Sequence, residues 1–203
     1  MRLDQVSIGV TLAALIATPL AAQDHRFQVY GHAGAVTPLA NLQQTSYPSG
    51  GSQVFRHFSG GVQFGAGVFL WLDDNLGLRG EGTYAGAKVS SPESNASWSK
   101  IFLGGDIVLR SAAYGLAPFG YFGFGIARLD ESGSRTDAIG VIPTATRPAG
   151  RFGGGLNFTP EGGVLGFFAE ASLLVYDFNQ TRFPFYDKVQ TDVAWKGGIS
   201  FRF

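Results

Sequence analysis

Histidine, the side chain that titrates nearest to neutral pH, occurs three times in this chain, at His25, His32 and His57. None of them stands four residues from another, which is the spacing of a helical zinc site. His57 lies two residues before Ser59, but no Gly-x-Ser-x-Gly motif surrounds that serine. The chain has no cysteine, which excludes thiolate metal ligands and a cysteine nucleophile. We therefore expect no catalytic residue, no metal site and no cofactor.

Charged residues occur at every second position in several segments. Near the end of the chain, Asp192, Lys196 and Arg202 occupy even positions, whereas the odd positions carry apolar residues or glycine. Successive side chains of a β-strand point to opposite faces, so this spacing predicts one charged face and one apolar face. A basic side chain that faces lipid near the middle of a bilayer costs about 2–4 kcal/mol. We infer that the charged face is the inside of a membrane barrel.

The predicted strand directions alternate, so the depth of each inward charge follows from its distance to the strand end. We expect an interior charge network at or below mid-depth that consists of Arg79, Glu81, Asp106, Glu170 and Lys196. We expect another group nearer the outer rim: Lys100, Arg128, Arg151 and Asp192. The network is interpreted as structural ion pairs that fill a narrow lumen, and a conducting pathway is the alternative.

Eight segments with apolar residues at every second position hold these charges. They span 26–36, 60–72, 76–88, 98–111, 117–129, 148–158, 165–178 and 189–203. Each is long enough for the 9–11 tilted residues that cross a bilayer as a strand. Long polar connections (37–59, 89–97, 130–147 and 179–188) alternate with three short turns. This order predicts an all-β fold, an eight-stranded antiparallel up-and-down transmembrane β-barrel with its long loops outside and its short turns in the periplasm.

Composition agrees with one folded, helix-poor domain. Of the 203 residues, 45% are hydrophobic and 15% are charged, which is too little charge for a disordered protein. The 30 glycines are scattered through apolar segments, where each would weaken a helix. Fifteen basic and fifteen acidic residues cancel, so the chain lacks the charge of a nucleic-acid-binding protein, and no nucleic acid is expected as a partner.

The first 22 residues have the layout of a secretory signal. Arg2 precedes an apolar stretch from Val6 to Leu20, and Ala21-Ala22 precede the polar Gln23. We expect residues 1–22 to be a cleaved signal peptide and residues 23–203 to be the barrel domain.

The last predicted strand ends on phenylalanine after apolar residues at every second position: Trp195, Ile199, Phe201 and Phe203. With the signal peptide and the stretches 117–125 and 167–171, this ending resembles the small eight-stranded outer-membrane β-barrel proteins of bacteria, of the OmpX and OmpA-barrel type. The resemblance implies a location in the outer membrane, in contact with its lipid. It also implies that these four residues form an assembly signal, which the barrel-assembly machinery reads.

The fourth long connection has the composition of a contact site, with an arginine and three aromatic rings: Arg182, Phe183, Phe185 and Tyr186. Alternatively, these rings belong to the aromatic girdle at the membrane interface. We expect a structural or surface-interaction role through the extracellular loops, with an extracellular ligand that the sequence leaves unidentified. A narrow solute or ion pore and a lipid A-modifying enzyme are the alternatives.

Overall fold

The computed structural model describes residues 26–39, 43–45, 54–90, 97–132, 144–178 and 189–203. Eight long strands form the barrel wall: β1 (Phe27–Pro38), β4 (Gly61–Trp71), β5 (Leu76–Ser90), β6 (Ser97–Arg110), β7 (Gly115–Ser132), β8 (Ala145–Thr159), β9 (Leu165–Asp177) and β10 (Val189–Arg202). The eight predicted strands are confirmed, and no strand end differs by more than three residues. Within the described ranges, no helix is long and apolar enough to cross a membrane.

Each wall strand pairs antiparallel with its two neighbours, and β1 pairs with β10 to close the barrel. The register of the closing pair sets Gly31 opposite Ile199. Closure satisfies the backbone hydrogen-bonding groups of all wall strands, which a strand edge in lipid would leave unpaired at several kcal/mol each. The up-and-down connectivity is thus the one that the alternation of long and short connections predicts.

Side chains alternate between an apolar outer face and a polar inner face. Phe124, Val62 and Trp195 are 73%, 68% and 61% exposed on the outside. Ile199, Phe201 and Phe203 are also exposed on the outer face. The buried side chains include most of the strand arginines, lysines, aspartates and glutamates. This is the reverse of a soluble protein and suits a wall surrounded by lipid.

Three tight turns lie at one end of the barrel, between β4 and β5, β6 and β7, and β8 and β9. In the first turn, Asp73 Oδ1 accepts the backbone N–H groups of Asn75 and Leu76, each at 2.7 Å. These two hydrogen bonds lower the pKa of Asp73. Gly115 and Gly162 have positive φ angles of 74° and 66° in the other two turns, a conformation that favours glycine.

The first long connection contains two short strands, β2 (Gln43–Thr45) and β3 (Val54–Phe58). The sequence predicts 37–59 as a loop throughout, and this expectation is wrong for these eight residues. The end of β3 pairs with the end of β5, where His57 lies opposite Ser90. Sheet pairing therefore continues past the wall on the side of the long connections.

Deleting Phe203 tests the predicted assembly signal. Phe203 donates its backbone N–H to the Phe27 carbonyl at 2.8 Å, and the two rings lie 6.3 Å apart. We expect the truncated chain to be exported and processed but to give less folded barrel in the outer membrane, as scored by heat-modifiable mobility on gels. The control is Phe122→Ala, which removes an outward ring of similar exposure from β7 and leaves the end of the chain intact. Equal yields from the truncated chain and the control would contradict an assembly signal.

Candidate functional site

Six charged side chains meet inside the barrel, and all are at most 6% exposed: Arg79, Glu81, Asp106, Arg151, Glu170 and Lys196. They are called the central network below. Arg79 donates its Nε–H to Asp106 Oδ2 at 2.6 Å and an Nη1–H to Glu170 Oε2 at 2.8 Å. The three cations and three carboxylates balance. A buried cluster of charges is tolerated only when it is paired and hydrogen-bonded in this way.

Glu81 has the most partners in the central network. Its carboxylate accepts hydrogen bonds from Tyr30 Oη at 2.6 Å, Thr83 Oγ1 at 2.9 Å and Lys196 Nζ at 2.6 Å. Arg151 Nη1 also donates to it. These donors lie on β1, β5, β10 and β8, so one carboxylate connects four strands. The result is a cross-link through the lumen between distant parts of the wall.

Glu170 makes a second set of contacts, and Lys196 Nζ contacts both this carboxylate and that of Glu81. The two residues face each other across β9 and β10, and Lys196 Nζ lies 2.9 Å from Glu170 Oε1. Tyr121 donates its hydroxyl to the same oxygen at 2.6 Å. The Tyr121 ring also lies 3.8 Å from the Arg79 guanidinium carbon, a cation–π contact. Glu170 is thus held by two cations and a phenol.

Arg151 belongs to this cluster, although the sequence-based depth estimate places it near the outer rim. It donates hydrogen bonds to Asp106 as well as to Glu81. In the sheet register, Asp106, Gly123 and Arg151 are consecutive partners on β6, β7 and β8. A Cβ at Gly123 would clash with the Gly105 backbone oxygen and with Asp106 Oδ1, so glycine is the residue that leaves room for this contact. Because neighbouring strands are staggered, a row of paired residues changes its depth from one strand to the next. A depth that is counted along single strands does not include this change.

Charge balance is a property of the sequence that points to Arg151 as a further member of the central network. The five predicted network residues are brought together by the structure, but they comprise two cations and three anions. A buried cluster with one unpaired carboxylate would be unfavourable for folding, so these five residues require a third inward cation. Arg151 fills that place.

A second ion pair lies nearer the long-connection end. Lys100 donates a hydrogen bond to Asp192, both side chains are buried, and Lys100 Nζ lies 5.5 Å from the Trp98 ring and 5.3 Å from the Tyr176 ring. The sequence predicts that Arg128 faces inward near the outer rim, and the predicted direction of its side chain is wrong. Its side chain is 57% exposed and pairs with Asp130 at 3.2 Å, on the outer face. A charge near the membrane interface costs about 0–1 kcal/mol, so the outer face tolerates Arg128 there.

Little space is left in the lumen around the central network. A cavity of about 30 Å³ lies between Lys196 and Lys100, and another of about 20 Å³ lies between Glu170 and Arg110. Each has room for one or two water molecules. Side chains therefore fill the described part of the lumen between these residues.

His32 points into the barrel, where its Nε2 lies 3.4 Å from Thr83 Oγ1 and 3.8 Å from Glu81 Oε1. It faces away from the lipid. His57 is in β3, but its side chain lies outside the described residues, as do His25 and the predicted contact residues Arg182, Phe183, Phe185 and Tyr186. The described ranges contain no group of three histidines or carboxylates placed to hold a metal ion.

Substitution of one partner in the central network should destabilise the barrel. We expect Glu170→Ala and Lys196→Ala each to lower the free energy of unfolding by about 3–5 kcal/mol, because each leaves a buried charge without its partner. The double variant should lose less than the sum, since it restores neutrality. Urea unfolding in lipid vesicles, followed by tryptophan fluorescence, measures all three.

The control is Arg128→Ala, which breaks the exposed pair with Asp130. An exposed ion pair contributes about 0.2–1 kcal/mol, so this variant should unfold almost as the wild type does. Additive losses in the double variant, or equal losses in the control, would show that the central network does not stabilise the fold.

No protein-family model and no curated protein matches the sequence. Solved structures match in fold. Ail, the attachment invasion locus protein of Yersinia pestis, is 15% identical with a TM-score of 0.50, and the match covers 87% of this chain and 98% of Ail. Neisserial surface protein A is 14% identical with a TM-score of 0.55, over 87% of this chain and 97% of that protein. The chain has the fold of the small eight-stranded outer-membrane β-barrels, the class that its terminal strand resembles, and its apolar outer face suits the bacterial outer membrane.

Proposed function

We propose that this chain is a closed outer-membrane barrel that holds its outer loops in place for contacts at the cell surface. The observation that carries the proposal is the balanced central network, which joins five wall strands through the lumen. Arg79, Asp106 and Arg151 connect β5, β6 and β8, and Glu170 and Lys196 connect β9 and β10. A cross-link of this kind makes the wall rigid and leaves no wide path through it.

The wall is also longer than a membrane requires, which supports a role for the loop end. β7 has 18 residues. At about 3.3 Å per residue and a tilt of about 40°, it rises about 45 Å, whereas the apolar band of such a barrel is about 25 Å tall. The pairing of β3 with the end of β5 continues the sheet on the same side. Loops that start from an extended, paired wall are carried away from the lipid surface.

A pore is the second candidate, and the interior argues against it. The cavities on the two sides of the central network have volumes of about 20 and 30 Å³, which is enough for isolated waters and too little for a hydrated ion or solute. Conduction would require the ion pairs of Glu81 to separate, at a cost of several kcal/mol.

A lipid-modifying enzyme is the third candidate. His32, the one histidine with a described side chain, lies inside the barrel and cannot reach a lipid substrate. We propose a non-catalytic role, with outer-membrane lipid around the wall, recognition of the last strand by the barrel-assembly machinery, and an extracellular ligand at the loops.

Conductance tests the closed lumen. Purified barrel in planar bilayers should give no stepwise current under conditions in which a large general porin does. Arg128→Ala, on the outer face, should behave in the same way. Stepwise currents whose ion selectivity changes with Lys196→Gln would establish a pore and overturn the proposal.

Replacement of the fourth loop tests the surface role. Cells with the wild-type chain are compared with cells in which residues 179–188, including Arg182 and Tyr186, are replaced by glycine and serine. The control replaces residues 91–96 in the same way. We expect wild-type cells to adhere to members of an array of immobilised glycans and matrix proteins, and the 179–188 variant alone to lose this adhesion. Equal adhesion of all three, at matched amounts of folded barrel, would contradict a contact role for this loop.

A further inference from the structure

The turn end of the barrel opens into a cavity of about 420 Å³. The cavity is lined by the last residues of β4, β6 and β10, the residue before β1, and two of the short turns: Arg26, Trp71, Asp73, Asp74, Arg110, Ala113, Tyr114 and Arg202. Three of these eight side chains are arginines and two are aspartates, so the lining carries a net positive charge. It lies at the opposite end from the long loops and is separate from the central network.

Arg110 and Arg202 are held rigidly at this cavity. Arg110 is 7% exposed, its guanidinium carbon lies 3.5 Å from the centre of the Trp71 ring, and its Nε–H donates to the Asp74 backbone carbonyl at 2.8 Å. Arg202 is 4% exposed, lies 4.9 Å from the Tyr114 ring, and donates an Nη2–H to the Ala113 carbonyl at 2.9 Å. Aromatic stacking and a single backbone hydrogen bond position each guanidinium.

Neither arginine has a carboxylate partner among the described residues. Nη1 of Arg110 and Nε of Arg202 are buried and have no hydrogen-bond acceptor. Of the two aspartates in the lining, Asp73 already accepts two backbone N–H groups in its turn, and Asp74 meets Arg110 through its backbone carbonyl. In the central network every cation forms an ion pair with a carboxylate, whereas Arg110 and Arg202 form none within the described ranges, although Asp73 and Asp74 line the same cavity. Buried charges that lack a partner are unfavourable, so this arrangement calls for an external anion.

We propose that this cavity binds an oxyanion of the phosphate or carboxylate type from the periplasmic side. Two guanidinium groups supply paired N–H donors that match the oxygens of such a group. The ring faces of Trp71 and Tyr114 give the cavity an apolar side, which would accommodate the carbon part of an organic phosphate or acid. The phosphate can be free in solution or belong to a lipid headgroup of the inner leaflet.

The NMR signals of the tryptophan indole N–H groups provide a test with internal controls, because the chain has three tryptophans in three environments. Trp71 lines the cavity, Trp98 is buried near Lys100, and Trp195 faces the lipid. The folded barrel in phosphatidylcholine nanodiscs is titrated with inorganic phosphate, and then with acetate, at constant ionic strength. We expect a saturable shift of the Trp71 indole N–H signal, while the Trp98 and Trp195 signals stay in place.

Two variants separate binding from general effects of salt. Arg110→Gln and Arg202→Gln should each weaken the phosphate titration at least about tenfold, the loss expected for a hydrogen bond to a charged group. Arg128→Gln removes a cation at the other end and should leave the titration unchanged. Non-saturable shifts, or equal titrations in all four proteins, would overturn the proposal. If a glutamine variant fails to fold, Tyr114→Ala, which removes the ring beside Arg202, should still weaken the binding of an aromatic phosphate such as phenyl phosphate.

The source of the anion is tested in a further sample. A Trp71 shift in nanodiscs that contain phosphatidylglycerol, without added phosphate, would assign the site to a lipid headgroup, whereas its absence there would assign the site to a soluble anion.

Discussion

The carboxylate of Glu81 accepts hydrogen bonds from four strands and has no exposure to solvent, so its charge must be balanced inside the barrel. This requirement explains much of the interior. Lys196 and Arg151 approach it as cations, and they bring Glu170 and Asp106 with them as further partners. The hydroxyl groups of Tyr30 and Tyr121 donate further hydrogen bonds, to the carboxylates of Glu81 and Glu170 respectively. Each member is stable only while the others are present, which is the basis for the cooperative losses expected on substitution.

The wall follows from a simpler rule, and the sequence predicts it well. Every second residue faces lipid, so an outward charge in mid-membrane or an inward run of large apolar residues would be penalised along the whole strand. The positions of β6 and β10 can be read from this alternation alone, because Lys100, Asp106, Lys196 and Arg202 share their inward faces. This periodicity involves only residues that are neighbours in the chain, so it can be recognised without knowledge of the three-dimensional structure.

The site depends instead on register between strands, which the sequence does not display. Arg151 meets Asp106 because Gly123 stands between them in one row of the sheet, and the stagger of the strands decides which residues share a row. The prediction that the Arg128 side chain faces inward is also wrong. Its position follows the outward rings Phe122 and Phe124 by parity, but a charge was assumed to point inward, an assumption that fails where the wall leaves the membrane. The pairing of β3 with β5 is nonlocal in the same sense.

The central network also determines what the turn-end cavity can do. Arg110 lines this cavity and, on its other side, the small cavity of about 20 Å³ that contains Glu170 in its lining. An anion that moved past Arg110 would therefore enter a space with room for only one or two water molecules, bounded by the Glu170 carboxylate and its ion pairs with Arg79 and Lys196. The site is attractive at its mouth and closed to anions above it. An oxyanion bound there would be held at the periplasmic face and not carried through, so binding at this end and a closed lumen have the same structural cause.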